Sequence, residues 1–378
     1  MDPQQPTLAL DDAPAAARRA LPVFGDVLGA QKDIAYFDAS PRSVLNPPAA
    51  TGIGCWSLNP YVGCAFGCAY CYARYAHRYT MERTGGLRSA TRIADAPPTD
   101  GPAGELADDA REEMLPPWLA FERRILVKRT APALVRQALG GRSARYRGLL
   151  SGEEAVVIGT ATDPYQPAER RFRVTRGVLE ALAEYAGLRV VIITKSPLVT
   201  RDVDLLARIA ARSRLSVHVS LITLDRALAR RIEPRSPTPE ARLRAMARLS
   251  AARIDVGINI MPVLPGITDD PAALSALVGA AARAGVAHVA AGALRLQPAA
   301  RDRYLPWVEG EFPELARRYR ASYARGVHAG EKYRAGLRAC MERICARHAI
   351  RVRTYGGEED EDDDELPPPP APQLGLGL

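Results

Sequence analysis

An α/β fold built on a mostly parallel sheet is what this chain predicts, and three observations carry it. Short β-like runs recur at residues 125–128, 155–160, 189–194, 215–220, 256–261 and 286–296. Helical patterns separate them at 133–139, 174–186, 201–211, 239–252 and 271–284. Each connection has the length of a crossover, so successive strands are expected to lie parallel. The third observation is size: 378 residues suffice for one large α/β domain with extensions, or for two smaller ones. Periodicity alone does not choose between an open sheet and a closed barrel.

Taken in order, residues 1–50 are rich in Ala and Pro without sustained periodicity, which predicts an N-terminal extension holding one short helix. Residues 56–61 are short and extended and lead into a cysteine-bearing loop, followed by a helix through Arg74 and Arg83. The stretch 85–117, which contains APPTDGPAGELADD, reads as a flexible surface insertion. The βα alternation then completes a domain spanning 51–298. Residues 299–355, containing RDRYLPWVEGEFPELARRY, read as a C-terminal region of amphipathic helices rich in Arg and Tyr that cap the sheet. Residues 356–378 carry four consecutive prolines and the run EEDEDDDE, and are expected to be disordered.

Charge and cysteine usage narrow the class. The formal net charge is +8; without the eight acidic residues of 358–365 the balance is 51 basic against 35 acidic, or +16. Such a body favours polyanions, which makes DNA or RNA a candidate partner, although an arginine-rich composition also accounts for it. The acidic run reads first as a solvated tail. No stretch approaches eighteen uninterrupted apolar residues, and MDPQQPTLALDDAP lacks a basic start and an apolar signal core. A cytoplasmic location is expected, with the scarcity of cysteine, six in 378 residues, pointing to a reducing compartment.

Three of the six cysteines, Cys64, Cys68 and Cys71, lie within NPYVGCAFGCAYCYAR. Thiolates are the soft ligands an iron-sulfur cluster requires, and spacers of three and two residues let one turn of chain wrap three corners of a small cuboid. Three ligands for four irons leave one iron open to an amino acid chelating through amine and carboxylate. Gly63 and Gly67 let the backbone approach such a core closely. Two plainer readings compete. Positions i, i+4 and i+7 also describe an apolar helical stripe, but Pro60, Gly63 and Gly67 oppose a continuous helix. A structural zinc needs a fourth ligand, for which Cys55 and His77 are available without a usual finger spacing.

The cysteine loop resembles that of the radical S-adenosylmethionine (radical SAM) superfamily, in its spore photoproduct lyase-like branch. The likeness continues through GTATDPYQPAERR (159–171), VTRGVLEAL (174–182), IITKSPLVTRDVDLL (192–206), VSLITLD (219–225), RRIEPRSPTPEARL (230–243) and MPVLPGITDD (261–270). It implies a partial (β/α)6 TIM-like barrel with its site at the C-terminal strand ends. It also implies an enzyme in which Cys64, Cys68 and Cys71 hold a 4Fe-4S cluster, S-adenosyl-L-methionine completes it, and reductive cleavage gives a 5′-deoxyadenosyl radical. By the same likeness Tyr72, next to the third cysteine, takes the position of a hydrogen-relay tyrosine, with Tyr70 beside the cofactor. Lys195 falls at the cofactor carboxylate and Ser220 at its ribose. Thr160 and Thr162 fall where many members carry a Gly-Gly-Glu-like segment for the cofactor amine, a pattern this chain lacks.

Asp163, Tyr165 and Glu169 are expected as substrate-side polar groups, and Glu233 with Arg235 as a surface ion pair. An electron donor such as a flavodoxin or ferredoxin is implied. Spore photoproduct lyases use a further cysteine as hydrogen donor, yet none occurs here between Cys71 and Cys340. The substrate is therefore unassigned, with nucleic acid one candidate. An electron carrier without S-adenosylmethionine, or a zinc-stabilised binding module, are the alternatives from other classes.

Overall fold

Runs rich in Val and Ile form the central strands, with both faces covered as expected of a parallel sheet, in the computed structural model, which describes residues 27–76, 117–141 and 143–353. A hairpin opens the described chain, β1 (Val27–Gln31) antiparallel to β2 (Ile34–Asp38). β3 (Leu45–Asn46) then runs antiparallel to β4 (Trp56–Leu58). β5 (Tyr61–Val62) and β6 (Arg124–Val127) join the hairpin in a four-stranded sheet of order β1-β2-β6-β5.

The larger sheet follows the predicted alternation. Its strands β7 (Ala155–Ile158), β8 (Arg189–Thr194), β9 (Arg214–Ser220), β10 (Asp255–Val263), β11 (His288–Ala293) and β12 (Arg351–Val352) stand beside β4 in sequence order, every neighbouring pair parallel. Sequential parallel neighbours with helical crossovers are the architecture of a partial barrel. Strand alternation sorts the residues. Leu215, Val217 and Val219 of β9 and Val256, Ile258 and Ile260 of β10 pack into the main core with the helices. Ser216, His218 and Ser220, with Gly257 and Asn259 of β10, fall on the opposite face.

Local chemistry fixes the helix starts. Thr238 accepts the Ala241 N–H and Asp270 the Ala273 N–H, and Pro239 and Pro271 occupy the first helical positions of Pro239–Ala251 and Pro271–Arg283. Pro271 follows β10 after a short loop, and a longer segment holding the helix Arg226–Ile232 links β9 to Pro239, so both connections leave from the C-terminal ends of their strands, at the sheet's C-terminal edge. Helices Pro298–Glu311 and Pro313–Ser322 bring Tyr304, Trp307 and Tyr319 onto that edge, packed with Phe66, Cys68 and Tyr70 of the cysteine loop.

Three readings change. Residues 125–128 form no barrel strand: 125–127 belong to β6 in the smaller sheet and Lys128 follows it, since a short apolar run has the same pattern in either sheet and only long-range pairing decides. Of the segment 1–50 only 27–50 are described; they hold the unforeseen strands β1 to β3, and a one-turn helix, Pro48–Thr51, crosses the segment's end. The C-terminal region adds β12 to its helices. The insertion at 85–116, the tail at 356–378 and the continuation of the post-cysteine helix beyond Ala76 lie outside the described residues. No described helix is long and apolar enough to cross a membrane.

Candidate active site at the cysteine loop

The loop from Gly63 to Tyr72 is held by donors and acceptors from five surrounding segments. Cys64 N–H donates to Phe121 O at 2.9 Å, and Ala65 N–H to Gln166 Oε1 at 3.0 Å. Gly63 O accepts from Gln166 Nε2 at 3.0 Å and from the Thr162 hydroxyl at 2.5 Å. Further along, Ala69 N–H donates to Ile232 O at 2.9 Å, and Arg235 N–H to Phe66 O at 3.3 Å. Arg74 donates to Cys68 O at 2.9 Å while pairing with buried Glu122 at 2.6 Å. A loop so tied presents its cysteines from a fixed backbone.

Both glycines are required by that backbone. Gly63 has φ +82°, and a Cβ there would lie 2.8 Å from Phe121 O; Gly67 has φ +66°, and its Cβ would lie 2.9 Å from the Glu122 carboxylate. Gly63→Ala is therefore expected to cost on the order of 2 kcal/mol, since the obstructing atom is backbone and the conformation is left-handed. Urea unfolding measures it, and a cost below a few tenths would show that the loop relaxes.

Cys64 and Cys68 sit in apolar surroundings, and each thiol lies near enough to its neighbours to feel them. Burial raises the Cys64 thiol, and Asp163, Cys68 and Cys71 add to the shift. Burial likewise pushes Cys68 up to about 12, although Lys195 works against it. Cys68 Sγ also lies 3.8 Å from the Ser236 hydroxyl. Among the described residues no three His, Cys, Asp or Glu side chains converge as they do around a single metal ion. His77 lies outside the described residues, and Cys55 is half-buried with its thiol raised by burial.

The strand ends place the remaining expected residues. Asp163, at the end of β7's loop, accepts from Tyr165 N–H at 2.9 Å, from the Thr194 hydroxyl at 2.7 Å and from Lys195 N–H at 2.7 Å. It thereby locks the end of β8. Burial raises its carboxyl, and those three donors oppose the rise. The Lys195 ammonium lies 5.6 Å from the centre of the Tyr70 ring. Burial disfavours its charge, but Cys68, Glu233 and Asp163 together hold it above the ordinary lysine range. The Tyr70 hydroxyl donates to Glu233, and Glu233 pairs with Arg242. Arg242 donates onward to Ser220 O and Pro237 O, each at 3.0 Å. Tyr70, Lys195 and Ser220 are thus joined through one buried network.

Tyr72 is 45% exposed and its hydroxyl donates to Thr160 O. The Thr160 hydroxyl meets Ser57 at 2.6 Å and Asn59 at 3.0 Å. The Thr162 hydroxyl is committed to Gly63.

Two expectations are corrected. Glu233 is no surface partner of Arg235: its side chain is 1% exposed and paired with Arg242, while Arg235 reaches Asp33 at 2.7 Å. The intervening Pro234 turns the two side chains apart, so sequence adjacency misleads. Glu169 and Tyr165 are fully buried as well. Glu169 accepts from the Tyr61 hydroxyl at 2.5 Å, Thr175 N–H at 2.8 Å, Arg176 N–H at 3.2 Å and Arg201 at 2.7 Å, which makes it a brace behind the loop. The sequence reading passed over Gln166, Glu122, Arg74 and Arg242. Gln166, Arg74 and Arg242 carried the signal of lying inside quoted motifs (159–171, 59–74 and 230–243), whereas Glu122 is an ordinary charged residue until folding buries it.

Comparison with known proteins places this geometry. The family model described as the radical SAM superfamily matches residues 144–277, the region that follows the cysteines. An uncharacterized protein of Mycobacterium tuberculosis is 32% identical over 346 residues, covering 91% of this chain and 90% of its own. An uncharacterized protein of Methanocaldococcus jannaschii is 26% identical over 229 residues, covering 60% of this chain and 67% of its own. Among solved structures, a spore photoproduct lyase mutant with bound AdoMet and dinucleoside spore photoproduct shares the fold with a TM-score of 0.57 at 13% identity, covering 85% of this chain and 82% of that one.

Proposed function

Because the chain belongs to the radical SAM superfamily, we propose that it is an enzyme whose Cys64, Cys68 and Cys71 hold a 4Fe-4S cluster completed by S-adenosylmethionine. The observation that carries this is the three-cysteine loop, braced through Gly63 and Gly67, with its Tyr70 ring facing Lys195 at the end of β8. The bound group supplies one-electron reductive cleavage of S-adenosylmethionine to methionine and a 5′-deoxyadenosyl radical. The chain's own residues bind, orient and exclude water. Lys195 is held cationic by buried acids, which suits it to an amino-acid carboxylate. Ser220, fixed by the bond from Arg242 to its carbonyl, is offered for the ribose, and Thr160 for the amine; Thr162 acts through the loop it supports. Tyr72, exposed beside the third cysteine, is the side chain best placed to pass a hydrogen atom toward a substrate.

The substrate is read only as a class. The basic body supports nucleic acid, but the absence of a cysteine between Cys71 and Cys340 argues against repair of the spore thymine lesion by a cysteine donor. A small reductant such as a flavodoxin or ferredoxin is the electron source in this reading. Anaerobic reconstitution followed by assay for 5′-deoxyadenosine tests it, and a loaded cluster that never yields 5′-deoxyadenosine would favour the electron carrier instead. Within the same assay, Lys195→Ala is expected to weaken S-adenosylmethionine binding about 10-fold or more while iron content stays unchanged, as befits a lost charge-assisted bond. Unaltered binding removes Lys195 from the site.

A further inference from the structure

The chain has four lysines, Lys32, Lys128, Lys195 and Lys332, and of the three given no role above only Lys128 is buried. Lys128 follows directly on β6 and is 3% exposed. Its backbone is paired: its N–H donates to Pro60 O at 3.1 Å, and its carbonyl accepts from Ala131 N–H at 2.9 Å. Among the described residues its ammonium makes no ion pair or hydrogen bond while keeping a little contact with solvent, and burial pushes it down to about 8.

Two features of the surroundings deepen the problem. Strand alternation carries Lys128 onto the face of Leu126. Leu126 packs there with Phe37, Val62 and Ala161, and Cys64 and Cys71 lie against the same cluster. The chain then enters helix Ala131–Gly140, whose first turn has no side-chain cap, so the positive end of the helix lies within a few residues of the amine. A largely buried cation with no acidic partner among the described residues lacks a compensating charge, so an anion entering from solvent would stabilise it.

We propose that Lys128 is the anion-binding residue of the substrate site, receiving an anionic oxygen, phosphate or carboxylate, beside the cysteine loop. A lysine suits this because its ammonium acts as a compact point charge that accepts either oxyanion without the planar match an arginine imposes. Calling the anion part of the substrate rests on the radical reading above; its binding at Lys128 does not.

The test uses the full-length protein labelled with 15N and 13C in lysine, whose four side-chain signals are assigned with Lys128→Arg and corresponding single variants. Inorganic phosphate and acetate are titrated separately. The Lys128 signal is expected to shift saturably at millimolar anion while those of Lys32 and Lys332 stay still. A response to phosphate alone assigns a phosphate ester, and a response to both assigns oxyanions generally, carboxylates included. Lys128→Met, which removes the uncompensated charge, is expected to raise Tm by about 2–5 °C in anion-free buffer and to abolish any further rise on adding phosphate. An unmoved Lys128 signal with both anions, or a lowered Tm in Lys128→Met, overturns the proposal and makes the amine a structural group. A persistent Lys128 shift in a protein that never forms 5′-deoxyadenosine would defeat the radical reading while leaving the anion site standing.

Discussion

Cys68→Ala is expected to reduce iron, sulfide and 5′-deoxyadenosine formation to background after anaerobic reconstitution, while the protein remains folded. The two halves of that expectation have separate causes. Without a cluster, Cys68 is a buried small side chain whose thiol keeps its proton, and it packs with Phe66, Tyr70 and Ile232. Trimming one sulfur from such a site costs about 1 kcal/mol, as for other small truncations in a core, so Tm should move little. As a ligand it has no substitute among the described residues, because the loop holds no fourth cysteine and the Ser236 hydroxyl beside it is a poor ligand for iron. Cys345 is the matched control. It too is buried, with its thiol raised to about 11, but it belongs to the helix Glu331–Arg347. Cys345→Ala should keep full iron content. A Cys68→Ala protein that retained a complete cluster would contradict the three-ligand assignment, and zinc without iron in the wild type would favour a binding module.

How much of this was legible beforehand depends on the range of the interaction that decides each element. The strands β8, β9 and β10 and the helices Pro239–Ala251 and Pro271–Arg283 are set by local periodicity and by caps at Thr238 and Asp270, and they appear where the pattern puts them. The membership of β6 in a second sheet was not legible, since its apolar run pairs with β2, far upstream, and no local feature encodes that pairing. The same distinction holds in the site. The cysteines and glycines advertise themselves by spacing. Glu233 and Arg242 look like any helix-flanking charges, and become a buried pair only when β9 and helix Pro239–Ala251 close over them. Lys128 was invisible for the reverse reason: a lone lysine after a strand reads as solvated, and burial without a partner is a property of the folded chain.

The buried pair Glu233–Arg242 supports the largest stability effect expected here. Both side chains are 1% exposed. Arg242→Ala would strand the Glu233 carboxylate in a dry site, and removing one partner of such a pair costs about 3–5 kcal/mol. Replacing both, as Glu233→Leu with Arg242→Met, should recover part of the loss because neither charge remains. Recovery stays incomplete because the Tyr70 hydroxyl and the carbonyls of Ser220 and Pro237 lose their partners. The sign with pH follows from Glu233. Burial would raise its carboxyl, but Arg242, Lys195 and the Tyr70 hydroxyl hold it below the ordinary range. A carboxyl lowered by folding stabilises fully above its unfolded pKa, and that stability is lost as pH falls through the folded value. Wild-type stability should therefore be flat from pH 8 to 6 with respect to this group and decline only in acid, with the decline reduced in Glu233→Gln. The same network positions Tyr70 beneath the Lys195 ammonium. Arg242→Ala should then weaken S-adenosylmethionine binding without touching a cysteine, whereas single variants costing under about 1 kcal/mol would mean that water reaches the pair and solvates it.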